Sequence, residues 1–182
     1  MTTPATPATP ASFSISDFRK AMKGGSRANQ FNVSFGALPT GVALTNATIL
    51  CKSAAIPGFT IGQIAVPFRG RTVKIPGDRT FAEWTATFVV DPSMAIRTGF
   101  ETWMNYIKAL DFTTTTLRAG SGIDYDTVIT VQHLKDDNSI SRTYKLQSAF
   151  PTDVSQIDVS YDSADAVEEF TVTFQYLDLV ES

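Results

Sequence analysis

Residues Cys51 to Val90, CKSAAIPGFTIGQIAVPFRGRTVKIPGDRTFAEWTATFVV, limit what this chain can become more than any other part of it. Apolar side chains recur along it as Ile61, Ile64 and Val66, then Val73 and Ile75, then Trp84, Ala86, Phe88 and Val90, which suggests extended chain. Pro57-Gly58, Pro67, Gly70 and Pro76-Gly77 interrupt the run and keep it from being one continuous inner strand. A long apolar segment of this kind must lie against something, either the chain's own sheet or a neighbouring chain. Its last part, Arg79 to Val90, is filled with β-branched and aromatic residues and reads as the strongest strand of the sequence.

The rest of the chain can supply a core. With 182 residues and 43% hydrophobic content it suits one globular domain that needs no disulfide or metal. Fifteen Lys and Arg against eighteen Asp and Glu leave a net charge of −3, without the concentrated basic face that nucleic-acid binding requires. The single cysteine, Cys51, sits among apolar residues and reads as a small buried hydrophobe. No apolar run reaches the ~18–20 residues of a membrane span, and Met1 to Ala11 lacks the basic and apolar regions of a secretory signal. The expectation is a soluble protein made in a cytosol.

Residues 1–29 read as an extended leader and arm, and 30–182 as the β domain. The leader MTTPATPATPAS is low-complexity Thr/Pro/Ala chain. Phe13, Ile15 and Phe18 then stand as anchors of an arm that orders only where they meet a surface, with Lys23-Gly24-Gly25-Ser26 as a hinge. Gln30 to Phe35 alternates and gives the first strand, Gly36 to Asn46 is a loop, and Ala47 to Ser53 resumes an extended path. Asp91-Pro92 opens the one obvious helix, with Asp91 as N-cap, running from about Ser93 to Leu110. Ile96, Phe100, Trp103, Ile107 and Leu110 form its apolar stripe, while Arg97, Glu101 and Lys108 point outward. Four strands follow, at about Thr127 to Lys135, Ile140 to Ala149, Gln156 to Tyr161 and Glu168 to Leu177, the first two joined through Asp136-Asp137-Asn138. In Phe170 to Tyr176 one face is aromatic and the other is Thr171, Thr173 and Gln175, the pattern of a sheet with one packed and one wet side. The fold class is mainly β, two packed antiparallel sheets as a sandwich or partly closed barrel, with one α-helix.

Chemistry finds little support. One histidine, His133, and one cysteine cannot make a structural zinc site, and no nucleophile signature accompanies His133. The acidic pairs Asp124/Asp126, Asp136/Asp137, Asp162/Asp165 and Glu168/Glu169 lack calcium-loop spacing and fit solvated turns. Arg69-Gly70-Arg71 is too short a basic element, without stacking aromatics, to read as an RNA contact. Neither an enzyme nor a cofactor or metal is implied.

Three blocks taken together carry a family likeness: the stretch from Leu50 to Asp91 with VPFRGR, PGDRTF and WTATF; FETWMNYI; and AFPTDVSQIDVSYDSADAVEEFTVTFQYLDL. Over about Phe31 to Leu179 the chain resembles the tail tube proteins of contractile-tailed bacteriophages, whereas the leader Met1 to Ser12 has no counterpart in that pattern. The resemblance implies a structural virion protein of the tail, made in the host cytoplasm. Its hexameric rings would share a β-barrel lumen and stack into a tube. Implied partners are the sheath outside, the tape-measure protein within, a baseplate tube-initiator, and DNA as passing cargo, with the modest negative charge keeping phosphates from sticking. A sheath contact at Arg97, Glu101 and Lys108 would be weak and polar.

The resemblance also implies that Ile56 to Gly77 is a hairpin-like loop reaching a neighbouring subunit, with Ile56, Pro57, Phe59, Ile61, Ile64, Val66 and Phe68 as its contacts. Arg69, Arg71, Lys74, Asp78 and Arg79 become candidates for inter-subunit ion pairs, against the plainer reading of solvated charges. Phe13, Ile15 and Phe18 form a second candidate contact. Other readings are a tube-initiator, the tube of a non-viral injection or type VI secretion system, and a monomeric β-sandwich that binds glycans.

Overall fold

The computed structural model of the chain describes residues 14–109, 125–160 and 167–181. The alternating segments form the strands that their pattern predicts. Phe31–Phe35 (β1), Thr127–Leu134 (β6) and Glu169–Gln175 (β8) match closely, and the 135–139 turn joins β6 to Ile140–Val154 (β7). With Cys51–Ala54 (β2), Trp84–Val89 (β5) and Asp178–Glu181 (β9), they make one antiparallel path, β1-β6-β7-β8-β5-β2, with β9 beside β7. The path does not close. Phe59–Phe68 (β3) and Arg71–Phe81 (β4) pair only with each other.

The long path folds into two facing sheets because β7 serves both. Up to Ala149 it pairs with β6, and at Tyr144 to Gln147 also with β9, whereas Phe150 to Val154 pair with β8. The register slips where Ile129 faces Leu146 but Thr127 faces Ala149, so β7 carries an extra residue there, and Ser148 takes a φ of 51°. Such bulges bend a strand and let it pass from one sheet to the other. Phe35 of β1 then reaches across to Phe88 and Phe174, with ring centroids 6.4 and 6.1 Å apart. The mainly β class with two packed antiparallel sheets is what the alternation predicts.

The predicted helical stripe holds the sheets together. In Ala95–Ala109 (α3), Ile96, Phe100 and Trp103 are buried. Phe100 lies 5.1 to 6.5 Å from the rings of Phe88, Phe170, Phe174, Phe35 and Trp103. The two indoles also satisfy their polar atoms: Trp103 Nε1 donates to Tyr125 O at 2.8 Å and Trp84 Nε1 to Ala55 O at 2.6 Å. Leu110 lies outside the described residues.

Several expectations need correction. Arg79 to Val90 is not one strand: Arg79 to Phe81 end β4, and β5 begins at Trp84 in the other sheet. The three-residue step from Phe81 to Trp84 breaks the two-residue period and marks the change. Residues 156–160 do not continue as a strand, because pairing with β8 ends where Ser155 N donates to Thr171 O; Tyr161 lies outside the described residues. Ala47–Leu50 is a short helical turn (α2) where extended chain is predicted. α3 begins after a turn closed by Met94 N to Asp91 O, with Met94 at φ 52°, so Pro92 precedes the helix, while the Asp91 carboxylate still accepts from Ile96 N of its first turn at 3.5 Å. The Ser93 hydroxyl holds the Asp91 carboxyl below its ordinary range. Arg97 does not point outward: it donates to Ser155 O at 3.0 Å and lies 5.6 Å from the Phe170 ring, besides pairing with Glu101.

The arm too differs from expectation. Ile15–Met22 is a helix (α1) closed by a capping box, in which Asp17 N donates to the Ser14 hydroxyl and Ser14 N to the Asp17 carboxylate. The sequence signal was Ser14-x-x-Asp17, with Asp17 the lone acid of a basic segment. Phe13 lies outside the described residues.

Two measurements follow from this packing. A Cβ at Gly99 would stand 2.4 Å from Ala43 O and 2.9 Å from a Leu44 methyl. Helix preference favours Gly99→Ala by ~1 kcal/mol, but a backbone clash costs about 1–3 kcal/mol, so calorimetry should show a lower melting temperature, not a higher one. Burial pushes the Cys51 thiol up to about 11. A thiol reagent at pH 8 should therefore leave the native protein unlabelled and react only once denaturant unfolds it.

Candidate inter-subunit surface

The β3–β4 ribbon is where the predicted contact residues gather. The pairs run from Phe59 opposite Phe81 to Phe68 opposite Arg71. Arg69 and Gly70 form the two-residue turn, with φ of 46° and 79°. A turn with positive φ at both central residues suits the twist of a hairpin, and glycine serves its second position without strain. Arg69 has no such freedom, and a large side chain held in the left-handed region marks a position worth testing for function.

Neither strand holds a buried residue. Ile61, Ile64 and Phe68 are 58%, 55% and 62% exposed, and Val73 and Ile75 are about as open. The register divides these side chains between two faces. Ile61 opposes Arg79 but Gln63 opposes Pro76, so β4 carries an extra residue at Gly77-Asp78. A Cβ at Gly77 would come within 3.3 Å of the Gly62 backbone, which is why two glycines meet at this bulge. Beyond it, Ile64, Val66, Phe68, Val73, Ile75 and Arg71 share one face, and Gln63, Ala65, Pro67, Thr72, Lys74 and Pro76 share the other. The distal half is a ribbon with one apolar face and no other described residue of its chain packed upon it.

The root is anchored. The Arg79 guanidinium lies 3.9 Å from the centroid of Phe59 and 4.9 Å from that of Phe81. Phe81 packs on Tyr176 at 5.4 Å, and the Tyr176 hydroxyl donates to Gly58 O at 3.5 Å. Burial raises the Tyr176 phenol, against a smaller lowering by Arg79. Arg79 and Phe59 therefore stabilise the ribbon's base within the subunit. Arg69 and Arg71 stand at the tip, Lys74 on the polar face and Asp78 in the bulge. Ile56 leaves the ribbon's base to line a separate hollow with Phe31, Ala54 and Val131, and Pro57 is half-buried.

The second predicted contact also exposes apolar groups. On α1, Ile15 is 75% and Phe18 63% exposed, and Met22 follows on the same stripe. Lys23, Gly24 and Gly25, all at positive φ, end the helix.

Several of the groups considered for chemistry have structural partners. His133 Nε2 is 3.1 Å from the Ser26 hydroxyl. Asp136 pairs with Arg27 at 3.6 Å, and Asp137 accepts from Ser139 N and Oγ, which holds its carboxyl low. Glu169 pairs with Lys52 at 2.5 Å. Among the described residues no three His, Cys, Asp or Glu side chains converge to hold a metal ion, and no helix is long and apolar enough to cross a membrane. Asp124, Asp162 and Asp165 lie outside the described residues.

Comparison with known proteins gives this geometry its context. The chain is 27% identical over 162 residues to the tail tube protein gp19 of Enterobacteria phage T4, covering 87% of this chain and 94% of that one. It is 26% identical over 174 residues to the tail tube protein of Serratia phage KSP90, covering 91% and 96%. Its fold is similar to a chain of the sheath–tube complex of an extracellular contractile injection system in its extended state, with a TM-score of 0.63 at 16% identity over 94% of this chain and 99% of that chain. A type six secretion system protein shares the fold more distantly, with a TM-score of 0.51 at 9% identity over 85% and 83%. The phage tail tube protein family matches residues 26–182, which is most of the chain. By its sequence, this chain belongs to the phage tail tube protein family.

Proposed function

We propose that this chain is the structural subunit of a tail's inner tube, made in the host cytoplasm and built into the virion. Six copies join into a ring around a shared β-barrel, and rings stack into a hollow tube. The sheath lies outside, and the tape-measure protein and then DNA occupy the lumen. A tube-initiator at the baseplate end starts the stack. The role is mechanical, not enzymatic.

The observation that carries this reading is the β3–β4 ribbon, whose apolar face its own chain leaves bare. Two strands alone are marginal in water, so a ribbon of this length needs a partner surface. Burying its half-exposed Ile, Val and Phe side chains contributes on the order of 5 kcal/mol per copy before the costs of association. β1 and β2 end the strand path, and pairing their open edges between copies would close a ring instead of seeding aggregation. The threonine ladder of β5 and β8, with Thr85 opposite Thr173 and Thr87 opposite Thr171, supplies a polar wet face suited to a channel. The exposed stripe of α1 gives a further contact between copies, through Ile15 and Phe18 with Phe13 before them.

The wild-type protein should sediment as rings and tubes. Arg69→Glu with Arg71→Glu should abolish long tubes in negative-stain micrographs while circular dichroism and melting temperature stay unchanged, because both side chains stand at the exposed tip. Tubes of normal length in the double variant would refute the ribbon's role. A strictly monomeric wild-type protein with sugar affinity would refute the tube itself.

A further inference from the structure

Resting on the tube reading, we propose that the ribbon tip of one copy docks in the groove that another copy forms between residues 156–160 and 167–169. The groove is about 340 Å³ in volume. Ile157, Val159 and Val167 give it apolar patches in a mostly polar lining, and Asp158, Glu168 and Glu169 give it negative charge. Val159 and Val167 are 78% and 67% exposed, unusually open for valine. Both walls are held at their roots. Ser155 N donates to Thr171 O and Thr171 N to the Ser155 hydroxyl, while Arg97 donates to Ser155 O. On the other side Val90 N donates to Glu168 O. Each wall is thus fixed where it leaves the sheet.

Tip and groove match in kind and number. The tip offers Phe68 at the end of the apolar ladder, flanked by Arg69 and Arg71, and among the described residues neither arginine has a carboxylate partner. In the groove Glu169 is engaged by Lys52 and Asp158 accepts from the uncharged Gln156 amide, so among the described residues Asp158 and Glu168 have no cation partner. Two free guanidinium groups beside an aromatic ring therefore face two free carboxylates beside valines. Arginine is the cation suited to such pairing, since it can stack and bond a carboxylate bidentately. Other hollows fit less well. The one beside Lys135 mixes Lys23 and Lys135 with Asp136 and Asp137, the one beside Leu38 has Asp126 alone, and the one beside Ile56 has no acid. The strained turn at Arg69 is explained by this contact: it sets a cation at the very end of the ribbon.

Charge reversal in the full chain tests the pairing. Asp158→Arg with Glu168→Arg should block tubes as the Arg69→Glu, Arg71→Glu pair does. The quadruple variant, with both charges exchanged, should restore tubes to at least half the wild-type yield. Raising salt should shorten wild-type tubes, since pairs at a partly wet contact are screened beyond ~8 Å at physiological ionic strength. Melting temperatures near wild type would show that each variant folds. If the groove variant assembles normally, or the quadruple variant stays unassembled while both pairs fold, the groove is not the receptor. Absence of wild-type tubes would instead overturn the tube reading on which the docking rests.

Discussion

A β-ribbon whose apolar face lies bare to water is the constraint on which the account of this molecule turns. The sandwich behind it is complete: Phe100 fills the space between the sheets, and Trp84 and Trp103 have partners for their indole N–H groups. Only the ribbon's root, at Phe81, touches that core among the described residues. The ribbon in turn gains only its anchorage from the core, through Phe81, Tyr176 and the stacked Arg79. An element so long and so exposed is accounted for if, as proposed, its bare face becomes an interior of the assembly.

The division of labour along the ribbon follows from one bulge. On the root side of Gly62 and Gly77, Phe59, Ile61 and Phe81 share a face with Arg79, and Phe81 packs on the core. On the tip side the apolar residues occupy the opposite face. A straight ribbon would put one apolar face against its own subunit along its whole length. The bulge turns the distal half's apolar face away from that direction, toward whatever lies beyond. It separates a residue that stabilises the fold, Arg79, from residues that remain available to a neighbour, Arg69 and Arg71.

Much of this was legible in sequence. Strict alternation located β1, β8 and the 143–147 part of β7, and the helical stripe located α3, because a half-buried strand and an amphipathic helix write their period into the side chains. The missed features share one signature, a three-residue step between apolar or buried positions. Ile61 to Ile64 crosses the ribbon's bulge, Phe81 to Trp84 crosses between sheets, and Leu146 to Ala149 crosses the bend of β7. Each step is visible as a slip of phase, but its meaning depends on which strand lies opposite. The hairpin followed from the family likeness and from the Pro and Gly residues that interrupt the stretch. The face it presents did not, because facing is set by the register of β4. Arg97 was misplaced for a related reason: its position on the helix is peripheral, yet the Ser155 carbonyl and the Phe170 ring draw it inward.

The most direct test is cryo-electron microscopy of the purified wild-type protein at high concentration. The account predicts six-fold rings stacked into hollow tubes, with the density of residues 59–81 leaving its own subunit and its Ile64, Val66 and Phe68 face buried against another copy. Particles that remain single subunits, or tubes in which that face lies open to solvent, would contradict it.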